Sequence, residues 1–220
     1  MTLSTLNTAQ SLVLFAPVAI IVIMILVFRG LHSLLRPGLA YFLGFLIYWV
    51  VWCGVFPWLF LGTNGIAKLF QFPGNPIGTL PWLVIALLIF PILLAGLIAF
   101  PNNISRATGV IILLSLLIAV INAPAEELLW RGLFISVFPG NFILAYLYPS
   151  VGFGLWHIAP LMAKKSSFPG GMVAFVIGAL IVGLCWGWVA FVTGSIFWTT
   201  VSHVIFDFLG LGALAYYREK

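Results

Sequence analysis

The stretch Asn122-Ala-Pro-Ala-Glu-Glu-Leu-Leu-Trp-Arg-Gly132 sets Glu126, Glu127 and Arg131 inside a run that is otherwise apolar from Val110 to Phe138. The chain has only four acidic residues: these two, Asp207 in another apolar run, and Glu219 near the carboxyl terminus. An ionisable group in such surroundings needs a partner or a wet cavity. A chain that keeps charge out of its hydrophobic stretches and makes three carboxylate exceptions is expected to use them.

Working outward, 64% of the 220 residues are hydrophobic and 6% are charged, against about a quarter charged in soluble domains. The expectation is a single membrane-embedded domain over residues 1–220. Runs long enough to span a bilayer, at about 20 apolar residues each, fall near 11–28, 39–62, 80–100, 108–138, 142–163, 171–192 and 195–217. The predicted fold is an all-α, polytopic transmembrane helical bundle of about seven spans. The fourth run carries Pro124 and is read as one tilted or kinked helix or as two shorter pieces. With seven spans and the amino terminus outside, Arg29, Arg36, Arg106, Lys164, Lys165, Arg218 and Lys220 collect on the inner face and only Lys68 on the outer. That asymmetry follows the positive-inside rule.

The net charge of +5 comes from basic residues scattered at the ends of apolar runs, so no nucleic-acid surface is expected. Cys53 and Cys185 lie far apart in apolar runs and read as buried small residues. His32, beside Arg29 and Arg36, reads as surface. Trp58, Trp82, Tyr216 and Tyr217 near run ends suit interface belts. The segment 66–71 is read as lying in the interface, between two turn-rich stretches at Gly62–Gly65 and Phe72–Gly78. Gly183-x-x-x-Gly187 reads as a close helix contact.

The chemistry concentrates in three places. Glu127 and Arg131 are four apart and share a helix face, so they can pair as scaffolding. Glu126 then points elsewhere, with no partner evident nearby in sequence, and is the candidate working carboxylate. Phe153-Gly-Leu-Trp-His157 is the second place. His203-Val-Ile-Phe-Asp207 is the third, and the face of its helix extends back through Thr199 and Ser195 as a polar strip. A carboxylate and an imidazole can share and activate a water. A second imidazole with a hydrogen-bonding neighbour can stabilise an oxyanion. The same four groups, Glu126, His157, His203 and Asp207, could equally serve as an N/O ligand set for a divalent metal such as zinc.

Glu126-Glu127-x-x-x-Arg131, Phe153-x-x-x-His157 and His203-x-x-x-Asp207 resemble, in order and spacing, the motifs of the CPBP family, which includes the CAAX proteases, the bacteriocin-processing enzymes and Abi-like proteins. The resemblance implies an intramembrane peptidase whose core lies at about 108–217. It implies that Glu126 and His157 activate the attacking water. It places His203 and the residue four later at the oxyanion, with Glu127 and Arg131 supporting. In prenyl-protein members that later residue is usually asparagine; here it is Asp207, and an ionised aspartate cannot donate to an oxyanion. Asp207 is left to be protonated, to orient His203 or to bind a metal. The implied partners are the lipid bilayer and a membrane-associated peptide or protein, and the expected location is a prokaryotic cell membrane. Two other readings stand beside this one. The first is a non-catalytic bacteriocin-immunity or scaffold protein, in which the charges form a packing network. The second is a proton-coupled transporter. There is no H-E-x-x-H or G-x-S-x-G motif, and a paired-aspartate site is impossible with one aspartate.

Overall fold

The computed structural model describes residues 6–73, 82–163 and 170–217, with no side chain described for Tyr217. Lys164, Lys165, Arg218 and Lys220, on which the expected orientation leans, lie outside the described residues, as does much of the loop after Phe72. The described residues are helical, without strands. Among the described residues, six helices are long and apolar enough to cross a membrane: α1 Thr8–Leu34, α2 Pro37–Leu69, α3 Trp82–Ile104, α4 Gly109–Val137, α5 Phe142–Met162 and α6 Gly171–Thr193. The chain is an integral membrane protein. Large apolar side chains such as Phe15, Trp82 and Leu97 point outward from these helices, as a lipid-facing surface requires.

Local chemistry sets the helix ends. Asn7 and Gln10 form a reciprocal capping box at the start of α1. Pro37 opens α2. Thr108 caps α4 through Ile111 N–H, and Asn141 caps α5 through Leu144 N–H. Gly170 and Gly194 bracket α6 in the left-handed region, at φ 86° and 66°.

The fourth run is one helix despite Pro124. At about 1.5 Å per residue it is about 43 Å long, so it must tilt or bend within a hydrocarbon layer of about 30 Å. The second run extends beyond expectation. Gly62 breaks its backbone with φ 60° and ψ 176°, but the helix resumes to Leu69. The segment expected in the interface is therefore largely the last turn of α2. The seventh run is helical in two pieces, α7 Phe197–Gly210 and α8 Leu214–Tyr217. Leu211, between Gly210 and Gly212, takes φ 51° and ends α7. The α7 terminus is held by Asn103 donating to the Gly210 carbonyl and by Ala213 N–H donating to Ser115 Oγ.

Helix α7 packs on α4 and α3, α6 on α5 and α3, and α1 on α2 and α5. Gly183 and Gly187 do make the close contact expected of them. A Cβ on Gly187 would lie 2.5 Å from Ser150 Oγ, and one on Gly183 would lie 3.0 Å from the Phe153 ring. Ser150 Oγ donates to the Gly183 carbonyl across this α5–α6 seam. Cys53 and Cys185 are free and buried, and His32 is exposed.

Candidate active site

The α4–α7 contact carries the charge. In α4, Glu126 and Glu127 end the regular helix, and residues Leu128–Gly132 follow as a π-helical turn. Such turns occur mostly as single bulges, frequently at functional sites. Arg131 remains four residues from Glu127 and pairs with it, Nη1 to Oε1, at 3.1 Å. The guanidinium lies over the Phe153 ring at 4.1 Å and the Trp186 ring at 5.5 Å, a cation–π seat that suits a buried arginine.

His203 joins the two helices. Its Nδ1 lies 2.9 Å from Glu127 Oε1. Its Nε2 lies 3.6 Å from Glu126 Oε2 and 3.5 Å from Asp207 Oδ1. Carboxylate oxygens thus face both ring nitrogens. The imidazole stacks on Trp186, with centroids 4.0 Å apart and planes at 26°. Glu126, Glu127 and His203 are all buried, whereas the Asp207 side chain is 21% exposed and marks the more open side.

Glu126 is held from three directions. Trp156 Nε1 donates to Oε1 at 3.1 Å, and Asn122 Nδ2 donates to Oε2 at 3.3 Å, on the side that faces His203. The Trp156 indole is itself stacked on Tyr48 at 3.8 Å, and the Tyr48 hydroxyl accepts from Trp130 Nε1 at 2.7 Å. Glu126 therefore does have a partner nearby in sequence, one turn upstream. Asn122 also donates to Asp207 Oδ2 at 2.9 Å, and its Oδ1 accepts from Trp49 Nε1 at 2.7 Å. Reading the sequence for charge passed over Asn122. The available signal was its spacing of four from Glu126 within an apolar run.

His157 stands apart. It ends the α-helical part of α5, Tyr148–Trp156, where the chain turns towards a 3₁₀ segment at Pro160–Met162. None of its ring nitrogens has a carboxylate oxygen within 4 Å among the described residues. Its Nδ1 meets the Phe153 carbonyl at 2.8 Å. A carbonyl only accepts, so Nδ1 carries the hydrogen, and in the neutral ring Nε2 keeps its lone pair. The Phe153 ring packs against both imidazoles, its centroid 4.7 Å from that of His157 and 6.1 Å from that of His203. The structure gathers Glu126, Glu127, Arg131, His203 and Asp207 by direct contacts, and His157 adjoins them through Phe153.

One expectation is corrected here. Ser195 is not on the α7 face. It precedes the helix and donates to the Leu69 and Gln71 carbonyls, tying α7 to the end of α2. Thr199 does lie buried on the α7 face of His203, with its hydroxyl at the Ile196 carbonyl and beside Glu127. Among the described residues, no group of three or more His, Cys, Asp or Glu side chains is disposed to hold a metal.

Among the described residues, six helices long and apolar enough to cross a membrane and a buried carboxylate–histidine cluster between α4 and α7 define an integral membrane protein with an internal polar site. Residues 107–209, 103 of the 220, match the family described as Rce1-like, type II CAAX prenyl endopeptidase Rce1-like. That segment is similar to the type II CAAX prenyl endopeptidases, in agreement with the motif resemblance. The match contains Glu126, His157, His203 and Asp207. No curated protein and no solved structure matches the chain.

Proposed function

We propose that this protein hydrolyses a peptide bond of a membrane-associated peptide or protein, with Glu126 and His157 activating the water. The observation that carries the reading is the buried Glu126 carboxylate, aimed at His203 Nε2 across the α4–α7 contact within the matched segment.

The water gives a proton to Glu126, helped by the lone pair on Nε2 of His157, and its oxygen attacks the carbonyl carbon. The oxyanion forms near His203. At 3.5 and 3.6 Å the two carboxylates facing Nε2 are too distant to saturate an N–H there. That hydrogen is free to donate to the oxyanion. Collapse breaks the C–N bond, and the proton taken from water passes to the leaving amine. Glu127 orients His203, Arg131 balances Glu127, and Asp207 faces the His203 Nε2.

The CAAX prenyl endopeptidase description of the matched family supports a substrate with a prenylated cysteine near its carboxyl terminus; the location proposed is a prokaryotic cell membrane. The test is cleavage of a quenched-fluorescent farnesylated CAAX peptide by the purified chain in detergent, alongside its unprenylated counterpart. Turnover by the wild type and its loss in Glu126→Gln support the reading. Full turnover by Glu126→Gln overturns it.

A further inference from the structure

We propose that Asn122 is a positioning residue for the peptidase reaction and that Trp49 fixes the direction in which its amide faces. The inference rests on the proposed role of Glu126.

The orientation of an amide is settled by its neighbours. An indole N–H only donates, so Trp49 Nε1, at 2.7 Å, must meet the amide oxygen. The NH₂ group is thereby turned to the other side, where both of its hydrogens find acceptors on different helices. One is Glu126 Oε2 on the same helix at 3.3 Å, and the other is Asp207 Oδ2 on α7 at 2.9 Å. A flipped amide would set its oxygen against two carboxylates and its NH₂ against an indole N–H. Trp49 thus acts at a distance, through one side chain, on the carboxylate that faces His203.

The arrangement has a chemical purpose. Glu126 and Asp207 both face His203 Nε2, so they repel each other across a small gap. The two amide hydrogens lie between them and offset that repulsion without adding charge. They also fix the rotation of Glu126, because Oε1 is held by Trp156 while Oε2 is held by Asn122. A glutamate clamped at both oxygens spends less of its time misaligned for the water.

The experiment is a double-mutant cycle on the farnesylated CAAX peptide, with melting temperature recorded for each variant. Asn122→Ala is expected to lower kcat about ten- to a hundredfold with KM within about twofold. Trp49→Phe, which leaves Asn122 free to flip, is expected to lower kcat about three- to tenfold with the same split. Because Trp49 works through Asn122, the double variant should be no slower than Asn122→Ala alone. Asn122→Ser, which can donate to only one carboxylate, should fall in between, and serves with Trp49→Phe if Asn122→Ala does not fold. Wild-type kcat in Asn122→Ala, or in Asn122→Ser where that one is used, overturns the inference, as do losses that multiply in the double variant. If Glu126→Gln is inactive while the Asn122 variants turn over normally, this inference alone falls. If Glu126→Gln is fully active, or the wild type leaves the peptide uncut, the proposed function falls and takes the inference with it.

Discussion

Glu127 Oε1 lies 2.9 Å from Nδ1 of His203 and 3.1 Å from Nη1 of Arg131, so one oxygen serves an imidazole and a guanidinium from different helices. Removing that carboxylate leaves a buried guanidinium without a counter-charge. Loss of one partner of a buried pair destabilises by about 3–5 kcal/mol. Glu127→Ala should therefore melt well below the wild type in detergent and lose activity, while Glu127→Gln, which can still accept from His203, should recover part of the activity. Equal melting temperatures for Glu127→Ala and the wild type would show that the pair contributes nothing to the fold.

Glu126 makes a different prediction. Its glutamine substitute keeps an acceptor for Trp156 and the same volume, so the fold should survive. General-base catalysis contributes about 10²–10⁴-fold, and cleavage by Glu126→Gln should fall by that order with an unchanged melt.

For His157, the Phe153 carbonyl fixes the tautomer. His157→Ala removes the basic Nε2 and should lower kcat by about 10²-fold or more. His157→Gln should not rescue it, because an amide offers no comparable base. Rescue by glutamine would limit His157 to a hydrogen-bonding part.

The α5–α6 seam is tested by Gly187→Val. The new side chain would collide with Ser150 Oγ and the Tyr146 ring, and overpacking of this kind costs about 1–3 kcal/mol. A lowered melting temperature is expected, whereas Gly178→Ala, where a Cβ meets nothing within 4 Å, should leave it unchanged.

Treatment with a chelator, followed by zinc, examines the reaction route. The expected outcome is cleavage of the farnesylated peptide at the same rate before and after treatment. Loss on chelation with return on adding zinc would overturn the metal-free route.

Spacing along one helix was legible before any coordinates. Glu127 with Arg131 and His203 with Asp207 are pairs that the helical period alone brings to one face, and both contacts are present. Contacts between helices were not legible. Nothing in a periodicity links His203 to Glu127, 76 residues earlier, or Asn122 to Trp49, 73 residues earlier. Ser195 was misplaced because a run of helical spacing says nothing about where Gly194 lets the helix begin. The aromatic residues divide in a way that composition hid. Trp58 and Trp82 are exposed and Tyr216 packs on Tyr41 and Phe42, whereas Trp49, Trp156 and Trp186 hold the polar groups of the site in place.

The early stop of α7 at Leu211 reaches beyond its own geometry. Fourteen residues make a rod of about 21 Å, roughly two-thirds of a hydrocarbon layer of about 30 Å. Asp207 falls in the last turn of that rod, and its side chain keeps 21% of its exposure. A rod too short to cross the layer alone thus sets the most accessible carboxylate of the cluster beside its own terminus.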